Sequence, residues 1–157
     1  MKITIATVGK IRTKAWQMAE VDFAQRLKRY ADFSAIVVKE ADQKALRNDE
    51  LVKAQEGELL LSKVAGQGFV VALDENGTSW SSEQLAGFLE QKASQGQNKV
   101  CFVVGGPLGL SLAVIGRADL VLSLSAMTLP HELAKVVLME QIYRAFTIIR
   151  GEKYHKA

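Results

Sequence analysis

The chain has 157 residues, of which 48% are hydrophobic and 24% are charged, and this composition is typical of a globular protein. The length suits one domain, residues 1–157, that buries roughly two-thirds of its unfolded surface. No apolar run approaches the ~18 residues of a membrane span, and the first residues lack the features of a signal peptide. We therefore expect a cytoplasmic protein without membrane contact.

Few side chains are available to bind a metal ion. The lone Cys101 stands inside the apolar run 100–104, where a buried small hydrophobe is expected. His131 and His155 are far apart, and neither CxxC nor HxxxH occurs. The sequence predicts no metal site and no internal disulfide.

The net charge of +3 is distributed unevenly. Residues 1–30 hold seven bases and two acids, residues 31–98 hold six bases and eleven acids, and residues 99–157 hold seven bases and four acids. If the two basic ends lie on one side, they form a positive field that attracts phosphate backbones. An ordinary solvated surface explains the charge alone equally well.

Apolar runs and helical patterns alternate along the chain. Strand-like runs occur at 3–8, 35–39, 69–73, 100–104 and 120–124, and the later ones are continuous, as in sheets covered on both faces. Helical spacing covers 16–30 and 49–64, and Ser81 with Gln84 fits a capping box before a third helix. A flexible loop is expected at 41–48. This order predicts an α/β domain with a mostly parallel sheet flanked by helices.

The last helix is predicted to begin with Pro130 in its first turn and to run to about Arg150. Its apolar residues lie on nearly all sides of the helix, which is more apolar surface than one buried face can cover. A homodimer would cover the excess, and a deeply buried helix within one chain is the alternative.

Three loops follow the carboxyl ends of predicted strands, where open α/β sheets bind ligands. They are the turn after Leu73, the glycine-rich stretch 105–109, and the small, hydroxyl-rich stretch 123–129. Neither GxGxxG after the first strand, nor GxxxxGK[ST], nor GxSxG is present. The loops favour a cofactor held by backbone groups and apolar contacts.

Several segments together carry a resemblance to a known family. They are 2–10, the Leu73-Asp74 turn, 102–109, 122–131, Glu-Gln-Ile-Tyr-Arg-Ala at 140–145, and the tail Gly-Glu-Lys-Tyr-His-Lys at 151–156. Over nearly the whole chain the sequence resembles the SPOUT-class methyltransferases that act on N3 of a pseudouridine in large-subunit ribosomal RNA.

The resemblance implies a SPOUT fold with a C-terminal trefoil knot, a homodimer, and S-adenosylmethionine as cofactor. It implies 23S rRNA as substrate and points to the assembled ribosome. Carried onto this chain, the cofactor contacts are Leu73, Gly105, Leu124, Ser125, Ala126, Met127, Thr128 and Leu129.

The catalytic assignments of the resemblance fall on the last helix and the tail. A neutral His can accept the N3 proton and Arg can stabilise the imide anion, so we assign His155, Tyr154 and Arg144 to the RNA side of the pocket, either within one chain or across the dimer. A terminal His that only touches phosphate or orders the tail is an equal alternative. His131 is expected to hydrogen-bond the neighbouring loop.

Two positions depart from the family pattern. Lys135 stands where Arg is frequent, which keeps the charge but loses bidentate phosphate recognition. Lys153 stands where Pro usually precedes Tyr-His, which loosens the tail.

Two other functions remain open on the sequence. The chain is then either a non-catalytic ribosome-binding dimer that kept the fold, or a SPOUT enzyme acting on tRNA.

Overall fold

The computed structural model describes residues 1–156, which form five strands and six helices. In chain order the elements are β1 Lys2–Val8, α1 Lys14–Leu27, β2 Asp32–Val38, α2 Gln43–Leu46, α3 Asp49–Val64, β3 Phe69–Ser79, α4 Ser82–Ser94, β4 Lys99–Val104, α5 Leu112–Arg117, β5 Leu120–Ser123 and α6 His131–Ile149.

The strands form one parallel sheet in the order β2-β1-β4-β3-β5. Helices α1, α4 and α6 cover one face over a core that includes Ile5, Phe102 and Leu138, while α3 and α5 cover the other over a core that includes Ala6 and Val103. Because both faces are covered, the central strands read as continuous apolar runs. The predicted parallel α/β architecture is confirmed, whereas the trefoil knot stays a prediction.

The local start signals of the helices act as expected. Ser81 accepts the backbone N–H of Gln84, whose side chain accepts that of Ser81, which completes the predicted capping box. Asn48 caps α3 in the same way, through the N–H groups of Glu50 and Leu51. Pro130 is the N-cap of α6 rather than part of its first turn, because its ψ of 137° is extended. The helix therefore begins at His131.

Two segments contain secondary structure that the sequence analysis did not predict. The expected loop at 41–48 contains α2, a four-residue helix capped by Asp42. Strand β3 continues beyond Leu73: the chain leaves the ladder at 74–77 and pairs again with β5 through Thr78. Gly77 permits this return, since a Cβ there would lie 2.7 Å from the backbone of Leu122.

Helix α6 is covered within one chain. It packs between α1 and α4 over the sheet, and its buried residues include Leu138, Met139, Ile142 and Phe146. The alternative of a deeply buried helix therefore accounts for its apolar circumference, and α6 alone does not call for a second chain. Within residues 1–156, no helix has the length and apolar character needed to cross a membrane.

Candidate methyl-donor loops and C-terminal tail

The three predicted loops lie at one edge of the sheet. Leu73 ends the first part of β3, Gly105 follows β4, and Leu124 follows β5. Since β4, β3 and β5 are neighbours and parallel, their carboxyl ends meet at this edge. The structure thus places Leu73, Gly105 and Leu124 at one edge of the sheet, and residues 125–129 follow Leu124 in the chain; the role of all eight residues in cofactor binding stays a prediction.

Close backbone packing determines the shape of the loop at 105–109. A Cβ on Gly105 would lie 2.5 Å from the carbonyl carbon of Gly109, so only glycine fits. The N–H of Gly109 donates to the carbonyl of Gly106 at 3.0 Å, and Gly109 adopts a φ of +83°. The loop is consequently a tight reversal in which Gly105 and Gly106 are buried and Pro107 is exposed.

Helix α3 packs beside the loop at 105–109. The buried Glu56 directs one oxygen at Gly106, where a Cβ would lie 3.0 Å away, and its other oxygen accepts the N–H of Ala41 at 3.0 Å. The next residue, Gly57, lies under Ser111, whose hydroxyl would be 2.2 Å from a Cβ. Burial raises the pKa of Glu56, with a smaller contribution from the charge of Glu40, while the Ala41 N–H opposes the rise.

Hydrogen bonds order the third loop and connect it to the first. Ser123 donates to the carbonyl of Ser125 at 3.0 Å, and the Ser125 hydroxyl accepts the N–H of Met127 at 2.9 Å. Thr128 donates to Glu75 at 3.1 Å, which joins the loop before α6 to the turn after Leu73. Met127 is 77% exposed, so its thioether side chain is available to a ligand or a second protein chain.

The residues of the three loops suit a cofactor with a large apolar surface. Leu73, Leu124 and Leu129 are half-buried apolar side chains. None of the eight predicted residues is charged, which fits a ligand recognised by backbone groups and apolar contacts.

The tail is docked on the helical layer. Tyr30 donates to Glu152 at 2.6 Å, which raises the pKa of Tyr30 to about 12. Tyr154 donates to Glu140 at 3.0 Å and packs edge-on against Tyr143, with ring centroids 4.7 Å apart. The loosening expected from Lys153 is therefore opposed by specific contacts on both sides of it.

His155 is held between a carboxylate and a guanidinium. Its Nε2 lies 2.7 Å from Glu83, and its Nδ1 lies 3.5 Å from Arg144, which also pairs with Glu140. A guanidinium only donates, so Nδ1 is the accepting nitrogen and Nε2–H donates to Glu83. The Ser81 hydroxyl, a backbone N–H and His155 together lower the pKa of Glu83 to about 2.

Tyr154, His155 and Arg144 thus form one cluster, and their assignment to the RNA side of the pocket stays a prediction. Within residues 1–156 the hydrogen bonds of this cluster go to α4, α6 and the tail, and none reaches the loops at 105–109 or 124–129. Arg144 lies thirteen residues along α6 from His131, about 20 Å at 1.5 Å per residue. The donor loops and the tail are two separate groups within one chain.

Two further expectations need correction or restriction. Lys135 does not face a phosphate-binding surface: it is 3% exposed and its ammonium lies 2.6 Å from Glu20 on α1. His131 is half-buried beside Gly105 but makes no side-chain hydrogen bond within the described residues. The predicted bond from His131 to the loop is therefore absent.

Sequence reasoning missed Glu83, Glu75 and Glu56. Glu83 was visible only as a first-turn residue of α4, and Glu75 only as part of a turn, because their partners are 72 and 53 residues away. Of the three, only Glu56 has a signal in the sequence: it is an acid directly before a glycine, on the buried face of a helix whose stripe is otherwise apolar. Among residues 1–156, no three His, Cys, Asp or Glu side chains are grouped as a metal site would require, and Cys101 is buried.

A family model described as "Predicted SPOUT methyltransferase" matches residues 1–155. Curated relatives of similar length include "Ribosomal RNA large subunit methyltransferase H" of Clostridium acetobutylicum, 42% identical over 99% of this chain and 100% of the relative. Proteins of the same name from Carboxydothermus hydrogenoformans and Bacillus pumilus are each 45% identical over the same shares.

Two solved structures show the same fold at low sequence identity. They are a probable methylase family protein from Haemophilus influenzae, with a TM-score of 0.57 and 14% identity over 99% of this chain and 70% of that one, and a probable methyltransferase from Bordetella pertussis, with a TM-score of 0.57 and 14% identity over 92% and 95%. The full-length family match and the relatives above 40% identity lead to one conclusion: the chain belongs to the SPOUT methyltransferase family.

Proposed function

We propose that this protein transfers a methyl group from S-adenosylmethionine to N3 of a pseudouridine in 23S rRNA, on the assembled ribosome. Family membership makes S-adenosylmethionine the methyl donor. The rRNA substrate is supported by the relatives of matching length that are named for ribosomal RNA of the large subunit. The observation that carries the proposal is the convergence of Leu73, Gly105 and the 124–129 loop at one sheet edge.

The residues of the three loops would hold the donor. The tight backbone reversal at 105–109 would form one side of the site, Leu73 and Leu129 would enclose the apolar part, and the loop stiffened by Ser125 would close the third side. When bound, S-adenosylmethionine supplies an electrophilic methyl group on a sulfonium. Fixing that methyl group in line with the acceptor nitrogen contributes about 7–11 kcal/mol to lowering the barrier.

The tail would supply the proton acceptor. The N3–C bond forms as the S–C bond breaks, and the N3 proton must leave to a base. Glu83 fixes the imidazole of His155 with Nε2–H directed at the carboxylate, which makes Nδ1 the accepting atom. RNA would displace the long 3.5 Å contact from Arg144, and the guanidinium would then face the developing imide anion.

A homodimer would unite the two groups. Within residues 1–156 the cluster around His155 makes no hydrogen bond to the donor loops of its own chain, so the pocket would need the tail of a partner. The exposed apolar surface of the helical layer lies on α1, where Met18 is 68% and Val21 is 57% exposed. Because α1 packs against α6, a second copy seated on α1 would lie beside the tail.

Mass mapping of rRNA tests the substrate. Large subunits from a strain lacking this protein are incubated with it and labelled S-adenosylmethionine, and the label is located by nuclease digestion and mass spectrometry. A single added methyl on a pseudouridine of 23S rRNA is expected. Transfer to tRNA instead would favour the tRNA alternative, and absence of both donor binding and transfer would favour the non-catalytic ribosome-binding dimer.

Removal of residues 154–157 tests the tail. Transfer should be lost while the Kd for S-adenosylmethionine, measured by calorimetry, stays within twofold. Full activity of this truncated chain would remove the tail from the mechanism.

A further inference from the structure

A large cleft opens beside the donor loops, at the carboxyl ends of β1 and β2. Its volume is about 1210 Å³, and its walls are residues 9–12 after β1, residues 37–42 at the end of β2, α2, and Gln55 and Leu59 of α3. We name it the β1–β2 cleft. Sites for single small molecules commonly measure ~300–1,000 Å³, so this one suits a longer ligand.

The floor of the β1–β2 cleft is apolar. Val37 is 42% exposed and Leu59 is 38% exposed, and Leu46 of α2 lies on the same lining. Large apolar side chains left in contact with water inside a concavity indicate a ligand with a flat or apolar part. A nucleobase has such a face.

The rim carries free positive charge. Glu40 is paired with Arg12 at 2.5 Å, and Asp42 accepts two backbone N–H groups at the start of α2. The two acids of the rim are thus engaged, whereas Lys10 and Lys39 have no ion pair within residues 1–156. Two unpaired lysines above an apolar floor match the phosphates and bases of a single strand.

Both walls of the β1–β2 cleft lie near the loop at 105–109. Gly9 and Lys10 also line a small void that is lined by Gly105 as well. On the opposite wall, Ala41 donates to Glu56, whose second oxygen meets Gly106. A strand of RNA lying in the cleft would therefore run next to the loop at 105–109.

We infer that the β1–β2 cleft binds a single-stranded segment of the substrate RNA next to the methylated residue, with a base against Val37 and Leu59 and the phosphates on Lys10 and Lys39. This inference rests on the proposed function, which supplies the RNA substrate but assigns nothing to the cleft. The cleft determines where the chain enters, and the tail acts on the residue that is methylated.

Two lysine pairs give a matched test of the charge. At 0.1 M salt, each phosphate contact that is lost lowers the binding constant for a single strand by about 0.7 of a decade, which is roughly fivefold. The double variant Lys10→Ala/Lys39→Ala should therefore raise the KM for large subunits about twentyfold and flatten the salt dependence. The control Lys63→Ala/Lys99→Ala makes the same charge change at the opposite edge of the sheet, where α3 ends and β4 begins, and should stay within twofold.

A second pair tests the floor. Leu59→Glu places a carboxylate in the cleft, whereas Leu51→Glu places one on the same helix outside the cleft lining, at a side chain that is 53% exposed. Leu59→Glu should weaken RNA binding at least tenfold and Leu51→Glu should not. For all variants the Kd for S-adenosylmethionine should stay within twofold of the parent.

Direct binding separates this inference from the proposed function. Fluorescence anisotropy with a labelled five-residue oligouridylate needs no methyl transfer. Binding that is lost in the cleft variants alone supports the inference even if no methyl is transferred. Parent-like KM and anisotropy in both cleft variants would overturn it while leaving the transfer reaction intact.

Discussion

Replacing Gly105 by Ala gives a sharp test of the donor loops. The added Cβ would lie 2.5 Å from the carbonyl carbon and 2.6 Å from the oxygen of Gly109, against 3.4 Å or more for ordinary contact. Both obstacles are backbone atoms in a tight reversal, so the loop itself must move by about 1 Å. Overpacking of this kind costs about 1–3 kcal/mol of folding stability.

For activity, the weaker binding of S-adenosylmethionine should matter more than the loss of folding stability. A displaced loop no longer presents its backbone to the ligand, and we expect the Kd for S-adenosylmethionine to rise at least about tenfold, or 1.4 kcal/mol. Calorimetry gives the Kd, and urea unfolding gives the free energy of unfolding.

The chain provides a matched control for this substitution. Gly87 lies within α4, and a Cβ there meets nothing within 4 Å. Gly87→Ala should stabilise the protein by up to about 1 kcal/mol and leave donor binding unchanged. A Gly105→Ala protein that binds S-adenosylmethionine as tightly as the parent would refute the assignment of this loop.

Three other substitutions test separate parts of the structure. Glu83→Gln should lower kcat at least about tenfold in the transfer assay without changing the donor Kd, because the amide no longer fixes the tautomer of His155; an unchanged kcat would contradict the role of the carboxylate. Lys135→Ala should lower the free energy of unfolding in urea by about 3 kcal/mol. This is the lower end for a buried ion pair, because Glu20 is 27% exposed. A loss below about 1 kcal/mol would contradict the pairing. Glu56→Gln should stabilise the protein more at pH 7.5 than at pH 4.5, since an acid whose pKa is raised on folding loses stability as pH rises above its unfolded pKa; equal gains at both pH values would argue against this.

Much of the fold follows from patterns that are local in the chain. Continuous apolar runs predicted the buried strands, helical spacing predicted the extent of α3, and the pair Ser81 with Gln84 predicted where α4 begins. The bounds of α3 agree with the prediction because its cap and its apolar stripe are both local signals.

The differences arise where a distant partner decides the structure. β2 begins at Asp32, three residues before the predicted run, because the ladder with β1 extends to Lys2. β3 resumes after its turn only because Gly77 lets the backbone approach β5. Such effects depend on register and contact across the sheet, which spacing along one segment does not contain.

The candidate site also contains features that the sequence predicted and features that depend on distant residues. Strand-end placement predicted the edge at which Leu73, Gly105 and Leu124 meet, because parallel strands make this a rule of topology. The orientation of His155 required Glu83, which is 72 residues away, and the burial of Lys135 required Glu20 on another helix. These pairings of side chains had no sequence signal.

With the proposed roles, the two faces of the sheet would control different steps. Glu56 of α3, on one face, packs beside Gly106, whereas Tyr30 after α1, Glu83 of α4 and Glu140 of α6, on the other face, hold the tail. Changes in the α3 layer should therefore alter affinity for the methyl donor, and changes in the opposite layer should alter turnover. With the proposed roles, cofactor affinity and catalytic rate would be adjustable independently, through residues on opposite faces of the sheet.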